Sequence, residues 1–197
     1  GNYRFRSATN QTPEEKTMGF KSVWRSLHLK LKLIADVGLI GLPNAGKTSL
    51  LNELTAAHAP VANYAFTTLE PNLGVTKGNL ILADVPGLIE GASDGKGLGT
   101  RFLRHIERTR ILVHCLSAES IDPQKDYQTI RTELTNYSSK LATKPEIVVI
   151  TKSDLVDVKT LAKIKKQVKA VLAVSIIDDK SLKAFNDLLS KSLILKS

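Results

Sequence analysis

Residues 41–48 read G-L-P-N-A-G-K-T, and they follow directly on the apolar run Ile34-Ala35-Asp36-Val37-Gly38-Leu39-Ile40. A strand that feeds a glycine-rich turn, which then opens into a helix over Thr48-Ser49-Leu50-Leu51-Asn52-Glu53-Leu54, is the setting a phosphate-binding loop requires. Gly41 and Gly46 let the backbone curl so that successive N–H groups point at nucleotide phosphates, and the helix start adds partial positive charge. The loop residues expected to hold the phosphates are Gly41, Leu42, Pro43, Asn44, Ala45, Gly46, Lys47, Thr48 and Ser49. Lys47 is placed to reach the β and γ phosphates, and the Thr48 hydroxyl to take one position on an octahedral Mg2+ ion. The competing reading is a chance glycine turn, and it weakens because three further motifs follow in the expected order.

The first is Asp84-Val85-Pro86-Gly87, at the end of the apolar run Leu80-Ile81-Leu82-Ala83 and 37 positions after Lys47. An acid there can hold magnesium through a bound water, and the Gly87 N–H can meet the γ-phosphate, so that the following loop senses whether that phosphate is present. Between the two lies Tyr64-Ala65-Phe66-Thr67-Thr68-Leu69-Glu70-Pro71. A threonine here, Thr68 in preference to Thr67, would complete the magnesium shell with its hydroxyl and offer its N–H to the γ-phosphate. The third motif, Thr151-Lys152-Ser153-Asp154, follows the run Ile147-Val148-Val149-Ile150. A carboxylate at Asp154 can accept from both N1–H and the exocyclic amine of guanine, a pair that adenine does not offer. Acceptors left unpaired by the wrong base discriminate strongly. Lys152 would lay its aliphatic stem over the base plane, so GTP and GDP are the expected nucleotides.

The chain has 197 residues, enough for one substantial α/β core with a small appended piece. Its 28 basic residues outnumber 19 acidic ones, giving a net charge of +9 that favours anionic partners such as ribosomal RNA or a membrane surface. Solvated Lys-rich helices are the plainer account of the C-terminal lysines. The single cysteine, Cys115, sits in the apolar run 111–116, reads as a buried strand residue, and rules out a disulfide within one chain. No apolar stretch approaches the roughly 18 residues of a membrane span, and the polar head G-N-Y-R-F-R-S lacks a signal-peptide core. A monomer in the cytosol, or in an equivalent organelle interior, is expected. The absence of an initiator Met before Gly1 suggests a fragment of something longer.

Residues 1–22 carry Gly, Asn, Ser, Thr, Pro and charge without a period and read as a linker or the tail of a preceding domain, leaving 23–197 as the nucleotide domain. Leu27, Leu29, Leu31 and Leu33 alternate with His28, Lys30 and Lys32, which predicts an edge strand before the central strand 34–40. Further strands are expected over 79–85, 111–116, 147–151 and 171–175. Helices are expected over 100–108, 126–141, 157–169 and from Ser181 onward, with Leu182, Phe185, Leu188 and Leu189 on one face. The alternation predicts a P-loop α/β fold: a mostly parallel six-stranded sheet with helices on both faces.

Together, the loops G-L-P-N-A-G-K-T, Y-A-F-T-T-L-E-P-N-L-G-V and D-V-P-G-L-I-E-G-A-S-D-G-K-G-L-G closely resemble those of the Obg family of translation-factor-related GTPases, over most of residues 24–115. The head G-N-Y-R-F-R-S-A-T-N-Q-T-P resembles the last stretch of the glycine-rich Obg domain that precedes the GTPase domain in that family. The resemblance implies slow GTP hydrolysis, a role in large-subunit ribosome assembly, and growth or stress control. Three departures stand out. Thr151 replaces the usual Asn, a shorter tether for guanine N7 and the phosphate loop. Thr48-Ser49 inverts the usual Ser-Thr, an equivalent exchange for a magnesium hydroxyl. Ser175-Ile176-Ile177 stands where Ser-Ala is usual, keeping a backbone donor for guanine O6 while crowding the pocket.

Leu88 follows Gly87 where Ras-like enzymes carry a water-orienting glutamine, so attack must be organised by something else. One candidate is a partner macromolecule. The other is a monovalent cation, K+, because Asn44 resembles the asparagine that coordinates potassium in related cation-dependent GTPases. Arg101 and Arg104 could act in cis, although solvent- or partner-facing positions suit them better. Lys47, Thr68, Gly87 and Asn44 are therefore the expected catalytic residues. The competing function is a nucleotide-gated RNA- or ribosome-binding module in which turnover is incidental. An ATP-using kinase with a similar loop is disfavoured by T-K-S-D and by the D-x-P-G switch.

Overall fold

The computed structural model describes residues 1–27, 35–55, 72–84 and 106–194. The chain divides into two compact units, Gly1–Leu31 and Lys32–Ser197. In the first, Tyr3–Phe5 form a single 3-10 turn, and Gly1 and Thr17 pair through Thr17 N to Gly1 O (3.1 Å) and the Gly1 amine to Thr17 O (3.2 Å).

The second unit is built on a six-stranded sheet: β1 (Ala35–Ile40), β2 (Asn72–Val75), β3 (Ile81–Asp84), β4 (Thr109–Ser117), β5 (Glu146–Thr151) and β6 (Leu172–Ala173). The spatial order is β2-β3-β1-β4-β5-β6, with only β2 antiparallel to its neighbour. Among the described residues the α-helices are α1 (Lys47–Leu54), α2 (Pro123–Tyr137), α3 (Ser139–Ala142), α4 (Val158–Gln167) and α5 (Asp179–Ile194). On one face, Leu50 and Leu51 of α1 and Leu182, Phe185, Leu189 and Leu193 of α5 pack on Val37, Leu39, Ile111, Val113 and Val149. On the other, Ile130 and Leu134 of α2 and Leu141 of α3 cover Ile40 and Leu112, and Ile164 of α4 covers Leu116 and Ile150. β1 and β4 are buried on both sides, which is why they read as continuous apolar runs. The expected doubly covered, mostly parallel sheet is present.

Several elements differ from the sequence reading. No strand is expected between residues 40 and 79, yet Asn72–Val75 forms β2. It pairs with β3 in the register Asn72 with Asp84 through Val75 with Ile81. The turn between them is closed by Thr76 N to Leu80 O (2.9 Å) and Leu80 N to Thr76 Oγ1 (3.2 Å), with Asn79 left-handed at φ 59. The helix expected over 126–141 is broken at Ser138, whose extended backbone (φ −161) ends α2 and whose Oγ caps α3 by accepting from Lys140 N. Leu141, past the break, still packs with Ile130 and Leu134 in one apolar cluster. α2 also starts earlier, at Pro123, because Asp122 Oδ1 accepts from Lys125 N (3.0 Å) and proline suits a helix's first position. β6 has two residues rather than five, although Val171 N to Val148 O (3.0 Å) and Val174 N to Ile150 O (2.7 Å) extend its pairing. α5 begins at Asp179, two residues before the expected Ser181. The alternating run 27–33 and the helix 100–108 fall largely outside the described residues.

Candidate nucleotide-binding site

The site lies at the carboxyl ends of β1, β3, β4 and β5, where parallel strands release their loops. β1 ends at Ile40, and Gly41 turns at φ 149. A Cβ at Gly41 would stand 2.4 Å from the Cys115 carbonyl oxygen of β4, so both backbone angle and space demand glycine. Asn44 (φ 62) and Gly46 (φ 75) complete the curl, and α1 starts directly after Gly46. Asn44 and Pro43 are exposed, whereas Ala45 is buried. Lys47 is only 6% exposed, and its Nζ donates to the carbonyls of Gly41 (3.1 Å) and Leu42 (3.0 Å). An ammonium cradled by its own loop's carbonyls is held over the loop's concave side.

β3 delivers Asp84 to the same place. Thr48 Oγ1 donates to Asp84 Oδ2 at 2.5 Å, bringing together two residues 36 positions apart. Asp84 is 2% exposed, and its other oxygen, Oδ1, has no hydrogen-bond partner among the described residues. A buried carboxylate oxygen left this way is costly unless an ion-bound water meets it. The donor set of a threonine hydroxyl and a carboxylate suits a hard, oxygen-preferring cation such as Mg2+.

β5 supplies the third loop. Thr151 is buried, and its hydroxyl faces two carbonyls, Ala45 O (2.7 Å) and Leu116 O (3.1 Å). It thus ties the strand end to the phosphate loop. A Cβ at Gly46 would lie 3.5 Å from Thr151 and 3.9 Å from Lys152 Cγ, so the two loops adjoin. Lys152 turns left-handed at φ 55, and Ser153–Leu155 form a 3-10 turn that exposes Asp154. Among the described residues the Asp154 carboxylate has no hydrogen-bond or ion-pair partner, which leaves both oxygens open to a ligand. Ser153 N donates to Val174 O (3.2 Å), bringing Ser175-Ile176-Ile177 alongside. In that loop Ser175 N donates to Ser181 Oγ (3.1 Å) and Ile177 N to Ser175 Oγ (3.2 Å). Within this run the Ile176 N–H has no acceptor among the described residues, while the Ile177 side chain is 77% exposed rather than packed inward.

Two contributors carried no sequence signal. Glu119, after β4, accepts from Lys152 Nζ at 2.7 Å and fixes where that side chain lies. Ser181 of α5 also donates to Ser175 O (3.1 Å), holding the loop's shape. Cys115 is fully buried, and burial pushes its thiol up to about 12, with Lys47 pulling the other way. It is an inert strand residue, as the sequence suggested. Phe66, Thr67, Thr68, Leu69, Glu70, Val85, Pro86 and Gly87, together with Leu88, Arg101 and Arg104, lie outside the described residues.

A glycine curl that leads into a helix, a lysine over its concave side and a buried aspartate against the helix's threonine define a P-loop nucleotide-binding protein. The family model described as 50S ribosome-binding GTPase matches residues 36–152, and the chain belongs to that family. Within it, the chain is similar to the GTPase Obg of Herpetosiphon aurantiacus, 55% identical over 163 residues that cover 80% of this chain and 37% of that protein. It is also similar to the GTPase Obg of Parabacteroides distasonis, 50% identical over 161 residues, covering 80% and 42%. The chain spans about two-fifths of the length of these relatives. The fold matches a GTP-binding protein from the archaeon Sulfolobus solfataricus solved with GDP (TM-score 0.64, 21% identity, 82% of this chain and 53% of that one). It also matches the G domain of the T. maritima FeoB iron transporter (TM-score 0.57, 22% identity, 79% and 96%). The Obg-family resemblance and the GTPase class expected from the motifs are borne out. No helix among the described residues is long and apolar enough to cross a membrane.

Proposed function

We propose that this chain is the GTPase domain of an Obg-type switch, which hydrolyses GTP to GDP and inorganic phosphate and acts on the large ribosomal subunit in the cytosol or an organelle interior. In this reading residues 1–22 are the tail of a preceding Obg-type domain. The observation that carries it is Asp84, buried, hydrogen-bonded to Thr48 and with one oxygen unmet, directly beside the Lys47 loop. Phosphate oxygens replace the loop carbonyls on Lys47 Nζ, keeping that cation satisfied while it offsets their charge. Thr48, with Asp84 through a water and Thr68, would hold Mg2+, which would supply neutralisation of the phosphate charge. Asp154 accepts from N1–H and the amine of guanine, Ile176 N–H donates to O6, and Lys152, steadied by Glu119, covers the base. In hydrolysis a water attacks the γ-phosphorus, the bond from that phosphorus to the β–γ bridging oxygen breaks, and the proton leaves with the inorganic phosphate. Gly87 and Thr68 would report the γ-phosphate to the loops that carry them, and Asn44 would hold K+ beside the phosphates.

The test is nucleotide exchange between bases. Wild type should bind GDP far more tightly than ADP, and Asp154→Asn should lose GDP and gain XDP, because xanthine O2 accepts where guanine's amine donates. Equal competition by ADP and GDP for the wild-type chain would sink the guanine assignment. Loss of large-subunit co-sedimentation in both nucleotide states, measured on the full-length protein, would remove the ribosomal role while leaving the GTPase reading standing.

A further inference from the structure

We propose that the outer face of α4 is a contact surface for the phosphate backbone of double-stranded RNA. The proposal rests on the ribosomal reading above for the class of partner and adds which face meets it. Between Val158 and Ile177 the sequence carries Lys159, Lys163, Lys165, Lys166 and Lys169 and no Asp or Glu. Leu161, Ile164 and, just past the helix end, Val168 turn onto the sheet, where they pack with Leu116 and Ile150. Lys159, Lys163 and Lys166, spaced four and three apart, therefore form one ridge on the opposite side, about 10 Å long at 1.5 Å per residue. Lys165 and Lys169 flank it, and all five are exposed.

Among the described residues none of these ammonium groups has an acid partner. The nearest acid in sequence, Asp157, is committed to the backbone N–H groups of Lys159 (3.1 Å) and Thr160 (3.2 Å) at the start of α4. Neighbouring α5 is built differently, with Asp179 and Asp187 interspersed among Lys180, Lys183 and Lys191. A merely solvated helix gains from such mixed charges, whereas Lys159–Lys163 and Lys163–Lys166 place like charges at repelling distances. A polyanion along the ridge relieves that repulsion and releases counterions.

The surroundings narrow the partner. A helix that lies in a membrane needs its apolar face free, and here that face is on the sheet; Val158, 82% exposed at the first position, is the one large apolar side chain α4 shows outward. No aromatic or arginine occurs on α4 to anchor a protein interface or to stack single-stranded bases. Lysines without base-reading partners suit phosphates, so binding should be insensitive to RNA sequence.

The experiment measures binding of the chain to a short perfect RNA duplex by fluorescence anisotropy across KCl concentrations. The variants are K159E/K163E/K166E and K159R/K163R/K166R, with GDP affinity as the control for folding. The expected result is that the Glu variant loses roughly tenfold or more in duplex affinity and its log–log salt slope falls by about 2–3, while the Arg variant keeps both. GDP affinity should not change. Unchanged duplex binding by the Glu variant, or no duplex binding by wild type, would overturn the proposal. So would wild-type binding to phosphatidylserine vesicles or to an acidic protein with none to duplex RNA. Co-sedimentation of the full-length wild type with large subunits separates the two readings: its loss tells against the ribosomal role, whereas the duplex measurement tells only on α4.

Discussion

Thr151 has one hydroxyl proton and two carbonyls in reach, Ala45 O at 2.7 Å and Leu116 O at 3.1 Å. It can brace the phosphate loop or donate to guanine N7, but not both at once. An asparagine carboxamide has two N–H donors and could do both. Thr151→Asn should therefore tighten GDP binding by about fivefold, the value of roughly one hydrogen bond. Thr151→Val should weaken it, because Ala45 O is left buried and unmet. Isothermal titration with GDP checks both directions, and weaker binding by the asparagine variant would place N7 outside this residue's reach. The departure at 151 was visible in the sequence. What it bonds to was not, since Ala45 lies 106 positions away.

Lys144, between α3 and β5, works at the scale of elements. Its Nζ donates to Ile106 O (2.8 Å), Glu107 O (3.0 Å) and Thr109 O, three carbonyls for its three protons. Burial holds this ammonium below the usual lysine range, with Glu107 pulling the other way. Lys144→Met keeps the stem but strands the carbonyls at the entry to β4, so it should cost about 1–2 kcal/mol in urea unfolding with little change in GDP affinity. A second case is Asp157 at the start of α4, whose carboxyl is held below its ordinary 3.8 by the Thr160 side chain and by the Thr160 and Lys159 backbone. The folded value lies below the unfolded one, so this contribution is complete above pH 3.8 and is lost as pH falls through the depressed value. Thermal melts of wild type and Asp157→Ala should differ at neutral pH and converge in acid. A gap that stays constant down to about pH 3 would mean the carboxylate's charge is irrelevant to the cap.

For the molecule as a whole, a water-positioning glutamine is replaced by Leu88 in the motif order. Alone, the chain should then turn over GTP on the scale of unassisted switch GTPases, about 10⁻⁴ to 10⁻² per second. Asn44 is exposed on the loop at φ 62 and has no hydrogen-bond partner among the described residues, which leaves its carboxamide oxygen open to a cation. Exchange of sodium for potassium at constant ionic strength should raise the rate, and Asn44→Ala should abolish that response while keeping GDP affinity. Equal rates in the two salts would shift the source of acceleration to a macromolecular partner.

The sequence by itself determined the parallel core of the sheet and the glycine loop after β1, because both rest on local chemistry. Doubly buried parallel strands must be continuous apolar runs, and a loop that curls around phosphates needs its glycines, lysine and threonine within eight positions. Tertiary structure decided what depends on distant partners. β2 is short and interrupted by Gly74, so its strand character comes from pairing with β3 across the Thr76–Leu80 turn. The spacing of Ile130, Leu134, Tyr137 and Leu141 fits one continuous helix, so the break at Ser138, where the backbone is extended and Oγ caps the next turn, is not expressed in it. The contacts of Asp84 with Thr48, of Glu119 with Lys152 and of Ser181 with Ser175 join residues 36, 33 and 6 positions apart. Asp84 announced itself because the chemistry of its motif demands an acid at a strand end, whereas Glu119 and Ser181 are ordinary polar residues until the fold sets them beside the loops they hold.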